Sequence, residues 1–239
     1  MNKLILFALG IAVVIGFTGC EKATVVSTAT ADVFIRSIKS PKDTSISVYS
    51  VVHTVISYDL MANVSVVAPN GVTSQLVDYD KLGNSFYNLV ADSLYSPTPP
   101  TPGTYNYTVT FKDKEVITYS NSLSSSYITA PTITSLVKAV ADTIYLKWNA
   151  VANADGYQIK ITKLDTITKV VTQLKYIQPF TDSSTPKKAK LYFSLPRSYF
   201  SLLLNNTETY SVQLDALLFE NSTSTYLQAI GTASRNIKF

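Results

Sequence analysis

The sequence predicts an all-β protein, two tandem β-sandwich modules carried behind an export leader. Three observations predict it. Apolar and polar residues alternate with a period of two in several separate stretches, the pattern of strands that bury one face. Strand-forming residues dominate, with 16 Tyr and abundant Ser and Thr, while helix formers never build a long amphipathic run. About 219 residues follow Cys20, enough for two domains of the usual ~100 residues each.

Residues 1–19 read as the leader. Met1-Asn2-Lys3 supplies one positive charge, and Leu4 to Phe17 then runs without a charged residue, the layout of a secretory signal. The run is shorter than the roughly 20 residues that span a bilayer, which makes a retained transmembrane anchor the weaker reading. Phe17-Thr18-Gly19-Cys20 resembles the lipobox of bacterial lipoproteins, with Phe17 where Leu is usual. The resemblance implies that Cys20 becomes the diacylated first residue of the mature chain, its lipidation site. Cys20 is also the only cysteine, and a thiol taken up by lipid, as the resemblance implies, leaves none for a disulfide, a cysteine nucleophile or a thiolate metal site. Two acyl chains anchor stably where one binds reversibly, and the first expected partner is therefore the membrane. Glu21 stands where the sorting rule of enteric bacteria reserves Asp for inner-membrane retention. The expected location is the cell envelope, as an outer-membrane lipoprotein facing the periplasm or the surface.

Residues 20–31 read as a tether and 32–122 as the first module. Val51 to Ser57 looks like a strand, Val64 and Val66 like another entering a turn at Pro69-Asn70-Gly71, and Glu115 to Tyr119 like the closing one. Between them Pro102-Gly103-Thr104-Tyr105, followed by Asn106 to Phe111, gives an alternating strand behind a turn. It resembles the penultimate strand of bacterial immunoglobulin-like domains; a differently wired β-sandwich is the alternative. Residues 123–130 read as a linker, part of a Ser-rich stretch from Ser120 whose composition suits a flexible connection.

Residues 131–239 form the second module. Ile144, Leu146 and Trp148 alternate with Thr143, Tyr145 and Lys147, and Tyr157, Ile159 and Ile161 with Gln158, Lys160 and Thr162. The intervening Asp155-Gly156 suits a turn. Leu191, Phe193 and Leu195 repeat the pattern, as do Tyr210, Val212, Leu214 and Ala216 against Ser211, Gln213 and Asp215. Trp148, the run Ala154-Asp155-Gly156-Tyr157, and Leu204 six residues before Tyr210 resemble a fibronectin type III domain. That resemblance implies a core role for Trp148 and a tyrosine corner closed by Tyr210. Asn205-Asn206-Thr207 departs from the Pro and Gly usual there, and Pro196 to Leu204 is compatible with a helical turn.

The residues offer little chemistry. A hydrolytic triad needs a base, and the single histidine, His53, lies in an apparent strand where a packed role is expected. Asp78 and Asp80 are two apart, but no calcium-loop spacing surrounds them, so solvated acids are expected. The +4 net charge comes from scattered lysines, with Lys187-Lys188 and Lys190 the one tight group. No nucleic-acid partner follows from that distribution. We expect no catalytic residue, metal or cofactor. Tyr145 and Tyr192, on the polar side of their strands, are the candidate ligand-binding residues, since an aromatic face with a polar tip suits sugars and protein surfaces. Asp92-Ser93-Leu94, Asp142-Thr143-Ile144 and Asp165-Thr166-Ile167 resemble the acceptor triplet of envelope O-glycosylation. The expected function is a membrane-anchored, non-catalytic envelope lipoprotein acting as a binding, adhesion or spacer module for a protein or glycan ligand. The alternatives are a glycan-binding accessory lipoprotein of a polysaccharide-uptake system and an enzyme with an unrecognised carboxylate site.

Overall fold

Alternating residues become paired strands. The computed structural model describes residues 26–88, 90–139, 143–164, 171–177, 192–196, 209–221 and 226–238. In the first module the strands are β1 (Ala29–Lys39), β2 (Ser47–Ser57), β3 (Met61–Val67), β4 (Thr73–Gln75), β5 (Val77–Asp78), β6 (Ser85–Tyr87), β7 (Gly103–Phe111) and β8 (Val116–Leu123). The second contributes β9 (Ile133–Ala139), β10 (Thr143–Trp148), β11 (Gly156–Leu164), β12 (Val171–Ile177), β13 (Tyr192–Pro196), β14 (Thr209–Phe219) and β15 (Leu227–Lys238). Among the described residues the helical content is a single 3-10 turn, Asp92–Leu94.

These strands form three sheets. A four-stranded sheet, β4-β3-β7-β8, packs on the first half of the structure, and a three-stranded sheet, β13-β10-β9, on the second. Both pack on one eight-stranded sheet, β12-β11-β14-β15-β1-β2-β6-β5, that runs through the two modules. The fold is thus a pair of β-sandwiches sharing a sheet. Their contact is a parallel pairing of β1 with β15, Ile35 opposite Ala229 through Ile38 opposite Thr232. Among the described residues every other strand pair is antiparallel.

One continuous apolar core lies beneath. Val33, Ile35, Val55, Val64, Tyr107 and Val109 fill the first sandwich, and Ile144, Leu146, Trp148, Tyr157, Ile159 and Leu214 the second. Each fully buried aliphatic such as Leu146 or Ile159 contributes roughly 1.5–3 kcal/mol over its exposed state. Trp148 packs on Tyr157 with ring centroids 5.3 Å apart, and the Val151 N–H donates to the Tyr157 hydroxyl at 2.7 Å. Tyr210 is fully buried on β14, whereas the loop that would complete its corner, Leu204 to Thr207, lies outside the described residues.

The segment whose composition reads as a flexible connection is held down. β8 itself extends to Leu123. Beyond it the Gln228 amide nitrogen donates to the Ser126 carbonyl at 2.9 Å, the Ser37 hydroxyl donates to the Ile128 carbonyl at 2.8 Å, and Ala130 N–H donates to the Ser47 hydroxyl. Ile128 and Ala130 are buried. Small residues make this crossing possible: Ser37 and Gly231 pair across the joint, and a Cβ on Gly231 would collide with the Thr129 carbonyl oxygen. Parallel pairs persist where both faces are covered, and this segment covers one.

Candidate functional site

The other face of the joint carries a cleft. Strand parity decides what lines it: Val33, Ile35, Tyr210, Val212 and Leu214 point into the core, so Phe34, Arg36, Gln213 and Asp215 point the opposite way. Register sets them in rows, with Gln158, Asp215, Thr232, Ile38 and Val48 adjacent across β11, β14, β15, β1 and β2. A cavity of about 440 Å³ lies over these rows, with Phe34, Arg36 and Tyr87 from the first module and Gln158, Lys160 and Thr232 from the second. A second lobe of about 450 Å³ shares Arg36, Gln213 and Thr232 and adds Lys39, Arg235 and Asp92.

Asp215 organises the floor. It is 2% exposed, and its carboxylate accepts from Thr232 Oγ1 at 2.7 Å and from the amide nitrogens of Gln158 and Gln213 at 3.0 Å. A buried carboxylate needs such donors, because an unpaired one would carry its full desolvation cost. The network fixes both amides by their nitrogens. The Gln213 amide also has a carbonyl oxygen, which Asp215, itself an acceptor, cannot engage.

Charge and rings complete the walls. Tyr95 packs with Ile38 and Val48; burial raises its hydroxyl above the ordinary tyrosine range, and the adjacent Arg36 guanidinium partly offsets that. Backbone groups of β1, β15, β14 and β11 are committed to ladders on both sides. What the cleft presents is therefore side chains: cationic donors, amides and aromatic rings.

The residues singled out by sequence lie elsewhere. Tyr145 is on β10, 36% exposed, between Ser194 and Val137. It is on the outer side of the three-stranded sheet, across the second sandwich from the cleft. Tyr192 pairs with Lys147, one register step of two from Tyr145; its side chain lies outside the described residues, as do Cys20, Asp165 to Ile167 and Lys187 to Lys190. Of the glycosylation-like triplets, Asp92-Ser93-Leu94 occupies the exposed 3-10 turn, while Ile144 is buried in β10. Asp78 sits in the short edge strand β5, and Asp80 caps the Leu82 N–H at 3.2 Å.

His53 is a core residue. It is 6% exposed, its Nδ1 lies 2.8 Å from the Tyr107 hydroxyl, and its ring packs on Tyr105 at 5.1 Å. The Tyr107 hydroxyl donates to the Asp32 carbonyl oxygen at 3.2 Å. Counting hydrogens, Nδ1 then carries the proton and donates to Tyr107. Burial brings the imidazole down to about 4, and it stays neutral. Among the described residues no group of three or more His, Cys, Asp or Glu is placed to hold a metal.

No family model matches the sequence, nor does any curated protein. Among solved structures the chain is similar to a two-domain fibronectin type III segment of chicken tenascin, with 12% identity over 79% of this chain and 92% of that one, TM-score 0.28. It is similar to a cytokine receptor complex, at 9% identity over 87% and 96%, TM-score 0.31. A third likeness is to the tetra-tandem repeat in the extending region of a large adhesion protein, at 11% identity over 88% of this chain and 50% of that one, TM-score 0.25. Likenesses of this degree carry nothing about ligands; the sandwich architecture rests on the strand pairing described above.

Proposed function

We propose that the chain is a non-catalytic binding lipoprotein of the bacterial envelope, held in the outer membrane through Cys20, with the cleft at the module junction as its binding surface. One observation carries the binding reading: the floor is a pre-set network of Asp215, Gln158, Gln213 and Thr232, flanked along the same sheet by Phe34, Arg36 and Tyr87 of the other module. A carboxylate tied to three neutral side chains supports a site that holds a ligand without transforming it. Anchoring is tested by feeding cells a palmitate analogue. Labelled protein in the outer-membrane fraction, and unlabelled Cys20→Ala released from it, is the expected result; unlabelled wild type would contradict it.

A saccharide is the ligand class these walls favour. The Gln213 amide, cationic donors and ring faces together serve a hydroxylated ring, while a peptide strand would need free main-chain groups that this face lacks. On an array of neutral and uronic-acid glycans, retention lost on Arg36→Gln and Gln213→Ala but kept by Tyr145→Ala supports the cleft. Retention lost only with Tyr145→Ala would assign binding to the opposite sheet, and retention by no glycan would remove the saccharide reading.

A further inference from the structure

The end of the first module nearest the leader is unusually apolar at its surface. Tyr58 is 100% exposed, Tyr79 66% and Leu82 63%, and Leu60, Ile56 and Val26 are exposed beside them. Hydrogen bonds bring these separate segments together. Ser57 N–H donates to the Asn84 carbonyl, Met61 N–H to that of Gly83, and Lys112 N–H to that of Leu60. The Ser57 hydroxyl donates to the Thr28 carbonyl at 2.6 Å, and Thr28 N–H reaches Asp59 at 3.3 Å. The first described residues of the chain thus arrive in the middle of this patch.

We infer that this end of the molecule rests on the bilayer, with Tyr58, Tyr79 and Leu82 seated among the lipid headgroups. The inference depends on acylation of Cys20 as proposed above. Five residues separate Cys20 from the start of the described chain at Val26, and the six steps between the two, at ~3.5 Å each, reach at most about 21 Å. A body on so short a leash presents its attachment end to the membrane. Tyrosines suit that depth, because an amphipathic ring sits where apolar and wet layers meet.

Charge does not drive the contact. Lys81, Lys112 and Lys114 stand at these loop tips against Asp59, Asp80, Asp113 and Glu115, and each of the four carboxylates accepts a backbone N–H. Near-balance of this kind gives little attraction to anionic lipid, so the contact is apolar and insensitive to salt.

The test uses protein purified from the envelope, its acyl mass verified, in phosphatidylethanolamine–phosphatidylcholine vesicles. Amide hydrogen exchange at residues 56–60 and 79–84 is expected to be roughly tenfold slower than in the Cys20→Ala chain mixed with the same vesicles. Leu82→Asp and Tyr58→Asp, at positions that contribute no core packing, should restore the faster exchange, and 0.5 M salt should leave it slow. Acylated protein exchanging at the unanchored rate would overturn the inference while leaving the anchor intact. A missing acyl mass would remove anchor and inference together. Protection without vesicles would assign the patch to a second copy of the chain, and loss of protection in salt would overturn the apolar contact.

Discussion

His53 illustrates how burial decides what a titratable residue does. Unfolded, its imidazole titrates near 6.5; folded, it is brought down to about 4. Between those values the unfolded chain binds the extra proton, so stability is complete above the upper limit and falls as pH drops through the window. The loss is on the order of 3 kcal/mol. Asp32, whose carboxyl burial raises, works in the opposite sense just above the ordinary carboxylate range. Urea unfolding from pH 7 to 4 should show the net decline, and His53→Gln, which retains a polar partner for Tyr107, should flatten it. Asp215 behaves differently, because its value lies in accepting. Asp215→Asn sets a donor against the donors of Gln158, Gln213 and Thr232, and should cost about 1–3 kcal/mol while weakening retention on the glycan array. The packed role of His53 was legible in the sequence from its place among alternating valines. That of Asp215 was not: it falls in the polar row of β14 with Ser211 and Gln213, which by periodicity alone reads as a solvent face. It is covered because the side chains of Gln158, Gln213 and Thr232 gather on its carboxylate.

Among the elements, the joint between β1 and β15 governs the arrangement. Gly231 lies where the 124–130 segment crosses, and any side chain there meets the Thr129 backbone. Gly231→Val should therefore separate the modules without touching either sandwich core. Calorimetry should resolve one transition in the wild type and two in the variant, with a loss of roughly 1–3 kcal/mol from the strained crossing. Strands with a clean period of two, such as β7, β10, β11 and β14, were readable because each buries one face. β1 was partly hidden, its first residues reading as tether. The crossing segment was misread because Ser-rich composition signals flexibility, while its rigidity comes from Ser37, Ser47 and Gln228, at least 80 residues away in sequence. A parallel pairing between the first and last strands leaves no local trace at all.

At the scale of the whole molecule, the joint also sets reach. β1 rises from the attachment end, Ala29, to Ile38, where it lies level with Thr232, and β15 continues to Lys238. At ~3.3 Å per residue this path spans roughly 50 Å, with Arg36 roughly 23 Å along it. On the proposed reading, a shared sheet that holds the cleft clear of the membrane would join the binding and spacer roles in one body. The claim that both modules build the site is tested most directly by mapping amide chemical shifts while isotope-labelled protein is titrated with a glycan retained on the array. The account predicts that Arg36 and Phe34 of one module move together with Gln158, Gln213 and Thr232 of the other. Shifts confined to a single module, or centred on Tyr145 and β13, would contradict it.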